Sequence, residues 1–330
     1  MALLLSMAVL VLGIIVLSKS SHWAIDSIVR ITRILGVREL IVGFVLISMA
    51  STLPEFTVSL SSIMAGNTEI SIGNVLGSNV TNIALIIGLM AIVKPLKFNR
   101  KTYRELSILL LLTSFIPLFL LNVTFASSTL GYALLLIYGL FILSLVGKKI
   151  NPRHGIVREE IKEPQKKTFL DHIKNPEFCK SLVFLAIGLV GVIGSSGFVV
   201  SSASSIASGM GISATVIGAT IVAVGTSLPE LSLGLASVRK NHIDLALGEV
   251  IGACLINLTL ILGTVLAFSP FHVNLRMFTT VLAFTIFTNL VLLFFLDKEE
   301  ITHEEGFFLF VIYLIFLFVT FGIQMYSGVG

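Results

Sequence analysis

The chain alternates long apolar runs with short polar breaks. Runs dominated by apolar residues lie near 2–18, 39–65, 70–93, 105–122, 126–147, 179–207, 212–238, 243–268, 275–296 and 305–327. Most have the roughly 17 to 25 residues that an α-helix needs to cross a bilayer core. The pattern predicts about ten transmembrane helices. A membrane β-barrel would show short alternating strands instead. The first run lacks a basic leader and a small-residue cleavage site, so it reads as a span and not as a signal peptide.

Composition agrees with a lipid solvent. Apolar residues make up 55% and charged residues 12% of the 330 positions, and the mean hydropathy is +1.02. A water-soluble surface could not be covered with so few charges. The expected class is an all-α integral membrane protein whose surroundings are the lipid bilayer, with no nucleic-acid partner. The two cysteines, Cys179 and Cys254, fall inside apolar segments with no metal or disulfide spacing, and read as packing residues.

Charge then sets the sidedness. Of 22 Lys and Arg, 20 collect in alternate loops around 30–38, 94–104, 148–180, 239–240 and 298, whereas the opposite loops hold only Arg276, and Lys19 is ambiguous. The positive-inside rule makes the basic side cytoplasmic, with both termini outside a multi-pass cell-membrane protein. Segment 148–178 is then a cytoplasmic linker between 1–147 and 179–330.

Those two parts are copies of one unit. At an offset of 175 residues, 43–88 lies on 218–263 without a gap, with 13 of 46 positions identical. Matched positions include Leu53, Pro54, Glu55, Gly73, Gly77, Asn82 and Gly88 against Leu228, Pro229, Glu230, Gly248, Gly252, Asn257 and Gly263. Even "PLKFN" at 95–99 sits on "PFHVN" at 270–274. Five helices per copy is an odd number, so the second copy must enter the membrane from the opposite side. Two inverted five-helix repeats are expected, with a substrate site near the midplane where corresponding broken helices meet.

Glu55 and Glu230 fall in that place, each after a proline that has no N–H for the preceding helical turn. Freed carbonyls stand beside the hydroxyls of Ser48, Ser51, Thr52, Thr226 and Ser227, and such groups need a partner in hydrocarbon. Carboxylates at this depth face an interior cavity and repel one another unless a cation or protons compensate. Asn74, Ser78 and Asn82 are spaced four apart on one helix face; Glu249, Ala253 and Asn257 hold the matching face of the second copy. Carboxylates, amides, hydroxyls and carbonyls form a hard oxygen set suited to Ca2+ or to the similarly sized Na+.

The paired blocks "STLPEF…GNVLGSNVTN" and "TSLPEL…GEVIGACLIN" resemble the two alpha-repeats of the cation/calcium antiporter superfamily, in particular the prokaryotic sodium/calcium exchangers. The resemblance implies exchange of Na+ for Ca2+ by alternating access, typically three Na+ against one Ca2+, with no cofactor. It also implies Glu55 and Glu230 as central ligands, Ser51 and Thr226 as hydroxyl or carbonyl ligands, and Ser48 and Ala223 as carbonyl ligands. Ser78, Asn82 and Asn257 would complete the site, and one chain would suffice as a monomer.

Departures from that pattern concern the ions. Ala253 stands where related exchangers often carry a hydroxyl, Asn257 where some carry Asp, and Glu249 where the first copy has Asn74. Glu249 reads either as a residue of the ion pathway or of proton coupling, or as a vestibule carboxylate wetted by cytoplasmic water and paired with Arg239 or Lys240. Proton/calcium exchange on the same fold is the main alternative function, and a passive cation channel a remote one. An intramembrane hydrolase is disfavoured, because no deep His or Lys could serve as base to the serines.

Overall fold

The computed structural model describes residues 2–34, 48–98, 100–120, 125–126, 128–147, 175–269, 271–272 and 275–327. Most of the linker expected at 148–178, residues 35–47 at the start of the second span, Gly43 among them, and Pro270, Val273 and Asn274 of the matched loop lie outside that set. The described residues are mostly helical. We number α1 Ala2–Ile34, α2 Leu53–Met64, α3 Thr68–Val93, α4 Arg100–Leu120 and α5 Ser128–Gly147. After the linker come α6 Pro176–Met210, α7 Ala214–Thr226, α8 Leu228–Arg239, α9 Ile243–Phe268, α10 Leu275–Leu296 and α11 His303–Ser327.

The 175-residue offset reappears in the backbone. Helices α8 to α11 each begin 175 positions after α2 to α5. The tight turns before α3 and α9 repeat as well: Gly66 and Asn241 are matched positions, with φ of 73° and 64°. Left-handed backbone favours Gly and tolerates Asn, so both residues suit the turn. Both long central helices also widen at the same place, α3 into π-helix over Thr81–Ile87 and α9 over Asn257–Ile261.

Four two-residue strands cross between the copies. Strand β1 (Leu96–Lys97) pairs antiparallel with β4 (Glu300–Ile301), and β2 (Phe125–Ala126) with β3 (Phe271–His272). Leu96 opposite Ile301 and Phe271 opposite Ala126 are the same register read from the two copies. Loops assigned to one face by charge do meet: Lys94 hydrogen-bonds Asn241, and Lys97 pairs with Glu300 at 3.4 Å. On the opposite face the Thr68 and Ser269 hydroxyls are 2.7 Å apart.

Glycine crossings hold the middle together. A Cβ at Gly77 would overlap the backbone of Ala219 on α7, and one at Gly218 would overlap that of Ile70 on α3. Gly88 meets Gly306 of α11, and the matched Gly263 meets Gly131 of α5. Without a hydrophobic drive between helices in lipid, such close backbone approach supplies the dispersion contacts. Helices α3 and α9 are buried along most of their length, whereas α1 and α6 turn large apolar side chains such as Leu4 and Val190 outward, as lipid-facing helices do.

Two sequence expectations need adjustment. The first helix runs to Ile34 instead of stopping near 18. Nothing in 14–34 breaks it, and Ser20 and Ala24 pack against Gly188 and Gly191 of α6, so its serines are sheltered while Asp26 and Arg30 stay exposed. Within this part Trp23 meets Phe184 edge-on at 6.4 Å, and His22 is bonded to the Ser18 carbonyl. Among the described residues six helices are long and apolar enough to cross a membrane, seven with the bent pair α7 and α8, while α4 and α5 contain shorter apolar stretches.

Candidate cation site

The site forms where two helices break. A helical turn over 48–51 ends at Thr52 (φ −80°, ψ 4°) before Pro54 starts α2. Helix α7 ends at Ser227 (φ −83°, ψ 8°) before Pro229 starts α8, with a 43° bend between them. Proline at the start of a helix is tolerated because its missing N–H has no helical partner there anyway. Each break places a glutamate in the first turn of the following helix, at its positive end.

Hydroxyls and carbonyls repeat across the two breaks. The Ser51 hydroxyl lies 3.2 Å from the Ser48 carbonyl, and the matched Thr226 hydroxyl 3.2 Å from the Ala223 carbonyl. Each hydroxyl has one hydrogen to donate and keeps its oxygen lone pairs for a donor or a cation. Ser48 O also receives the Thr52 hydroxyl at 3.0 Å.

The central helices close the site from both sides. Thr226 Oγ1 donates to Asn74 Oδ1 at 3.0 Å, and Ser51 Oγ to Glu249 Oε1 at 2.8 Å. Asn74 Nδ2 donates weakly to the Glu55 carbonyl at 3.4 Å, and Ser48 Oγ to that of Glu249 at 3.4 Å. Ser227 donates to Glu55 Oε1 at 3.0 Å. Glu230 lies within electrostatic reach of both Glu55 and Glu249.

All eleven residues expected from sequence (Ser48, Ser51, Glu55, Asn74, Ser78, Asn82, Ala223, Thr226, Glu230, Glu249 and Asn257) are at most 3% exposed. Several have no hydrogen-bond partner in the protein: Glu55 Oε2, both oxygens of Glu230, Glu249 Oε2, Ser78 Oγ, and the amides of Asn82 and Asn257. Buried polar atoms are rarely left without partners, and buried carboxylates least of all. Ser227 is the partner that the expected set lacked; it lies on the other copy, 172 residues from Glu55. The vestibule reading of Glu249 is set aside. Its carboxylate is buried against Ser51, while Arg239 and Lys240 are exposed at the end of α8. Of the two cysteines expected to be packing residues, Cys254 is fully buried beside Asn82, whereas Cys179 is exposed in the first turn of α6.

Comparison with known proteins decides what such a site belongs to. The family model for the sodium/calcium exchanger protein matches residues 5–147 and again 180–322. This chain belongs to the sodium/calcium exchanger family. The two matches start 175 residues apart, the offset at which sequence and helix bounds repeat. The sodium/calcium exchanger MaX1 of Methanosarcina acetivorans is 28% identical over 347 residues, covering 95% of this chain and 97% of that one. CaxA of Alkalimonas amylolytica is 34% identical over 261 residues, 78% of this chain and 79% of its own. Among solved structures, the sodium-calcium exchanger NCX_Mj superposes with a TM-score of 0.65 at 28% identity, covering 95% of this chain and 97% of that chain. Membership makes this exchanger-family chain a multi-pass membrane transporter and not an enzyme.

Proposed function

We propose that the chain is a secondary antiporter that exchanges Na+ for Ca2+, binding its ions midway between Glu55 and Glu230. The observation that carries this reading is the set of buried oxygens without protein partners, gathered where two matched helices break. Their chemistry is hard and anionic, which suits Ca2+ and Na+ and gives soft metals nothing to prefer. In this reading Ser51 and Thr226 contribute hydroxyl oxygen, Ser48 and Ala223 carbonyl oxygen, and Ser78, Asn82 and Asn257 neutral oxygen from the central helices.

Two ionised glutamates balance one Ca2+ and are over-balanced by three Na+, so the two loaded forms differ by one charge. Exchange in that ratio moves net charge across the membrane. The two copies, taken as inverted repeats with bounds 1–147 and 179–330, give each half of the site an exit to one side. Helices α1 and α6 form a long pair packed largely on each other outside the core, with a cluster of apolar residues such as Leu10, Leu17, Val192 and Val199 between them. Small residues at their crossing, Gly188 and Gly191 against Ser20 and Ala24, let the two helices pack closely as one unit, which would slide past the core as access alternates. The sidedness read from charge places the basic loops and the 148–178 linker in the cytoplasm.

The test is 45Ca2+ uptake into proteoliposomes of the purified protein, with an outward Na+ gradient compared with an outward proton gradient at matched ionic strength. Uptake driven by Na+ and suppressed by an inside-negative potential, because three Na+ leaving for each Ca2+ entering carries one positive charge out, is the expected result. Uptake driven by protons alone would move the function to proton/calcium exchange on the same fold. Uptake that needs no counter-ion gradient would indicate a channel.

A further inference from the structure

One contact of the site occurs twice, and its two versions differ in charge. Ser51 matches Thr226 and Asn74 matches Glu249 at the 175-residue offset. Thr226 donates to the Asn74 amide oxygen at 3.0 Å; Ser51 donates to the Glu249 carboxylate at 2.8 Å. An amide oxygen is satisfied by that one donor. A carboxylate, 3% exposed and with Oε2 left without a protein partner, is not.

Nothing in the surrounding protein supplies the missing positive charge. The side-chain partner of Glu249 is neutral, and its carboxylate neighbours, Glu55 and Glu230, carry the same sign. Nor do the three acids converge on a single point: among the described residues no three His, Cys, Asp or Glu side chains stand close enough to hold one metal ion. A Ca2+ bound between Glu55 and Glu230 therefore leaves Glu249 to be balanced by a monovalent cation of its own or neutralised by a proton, two cases that a count of bound Na+ separates. One positive charge completes the count.

The second copy has also lost an oxygen nearby. Ser78 of the first copy is matched by Ala253, and Glu249 lies four positions earlier, about 6 Å along the same helix face. The second copy thus lacks the hydroxyl oxygen and, one turn away, carries a charged oxygen in place of an amide one.

We infer that Glu249, together with the Ser51 hydroxyl, forms a separate monovalent-cation site of Na+ size. It has no charged counterpart beside Asn74. The inference deepens the exchange reading and rests on it for the identity of the ion. It makes the two halves of the site unequal: the Ser51 half has the Glu249 carboxylate where the Thr226 half has the Asn74 amide.

The experiment counts 22Na+ bound at equilibrium to the purified full-length protein with calcium chelated. Wild type is compared with Glu249→Gln and Glu249→Asp, and 45Ca2+ binding is counted on the same samples. Glu249→Gln is expected to bind one Na+ fewer per chain while still binding Ca2+, and Glu249→Asp to recover part of the lost Na+. If Glu249→Gln binds neither ion, Glu249→Asn, which places there the residue that the first copy carries, decides by the same count. An unchanged Na+ count, with affinity within two-fold of wild type, overturns the inference and leaves the exchange reading intact. Wild type that loses one Na+ on Glu249→Gln yet shows no Na+-driven Ca2+ uptake would do the reverse.

Discussion

Glu55 and Glu230 stand out in the sequence because a carboxylate inside an apolar run is costly, about 2.5 to 3.5 kcal/mol at a helix centre on insertion scales. What pairs with each is another matter. Ser227 reaches Glu55 from the other copy, and Thr226, which the motif places among the ligands, is bonded to Asn74. Such pairings depend on how two breaks 175 residues apart face each other, and spacing along one helix carries no record of that. The expected roles of the two glutamates can be tested one at a time. Replacing either by Ala should lower Na+-driven 45Ca2+ uptake by at least a hundred-fold at equal reconstituted protein. Each change leaves a divalent ion facing a single carboxylate, one negative charge short, and removes a ligand from among the partnerless oxygens around it. Uptake within ten-fold of wild type in either variant would remove the shared site.

Most helices were legible, because apolar runs of spanning length have one stable form in lipid. The ends were less so: α1 continues well past its apolar run, since small residues of α6 shelter the serines that follow. The π segments at Thr81–Ile87 and Asn257–Ile261 were not legible at all. Their hydrogen-bond register depends on packing around Asn82 and Asn257, which propensity does not encode. Glycines give the sharpest test at this scale. In a helix with free space, Gly→Ala gains about 1 kcal/mol from propensity. Gly194 has nothing within 4 Å of a built Cβ, so Gly194→Ala should raise the thermal midpoint in detergent slightly. At Gly77 the same change meets the backbone of Ala219, which cannot turn aside as a side chain can. Overpacking of this kind costs about 1 to 3 kcal/mol, more than the propensity gain. Gly77→Ala should therefore lower the midpoint, and the opposite order for the two variants would contradict the crossing.

For the whole molecule, the gapless offset exposed the duplication, and it returns in helix bounds, in the paired left-handed turns and in strand register. The interlocking of the copies was hidden. Each short strand pair ties the loop after the central helix of one copy to the last helix hairpin of the other, a long-range pairing that two-residue strands do not announce. Inversion adds a condition that matching bounds alone do not impose: equivalent turns must open on opposite faces. Ala65 and Lys240 are equivalent positions, both exposed, in the turns before α3 and α9. In a background with Cys179 and Cys254 replaced, Ala65→Cys should react with an impermeant maleimide added outside intact cells, and Lys240→Cys only after the inner face is opened. Labelling of both from one face would make the repeats parallel, and the site could then not present its matched halves to opposite sides. Labelling of Lys240→Cys outside and Ala65→Cys inside would keep the inversion and reverse the orientation drawn from charge. The basic loops joined by Lys94 with Asn241 and Lys97 with Glu300 would then be extracellular, which the distribution of Lys and Arg argues against.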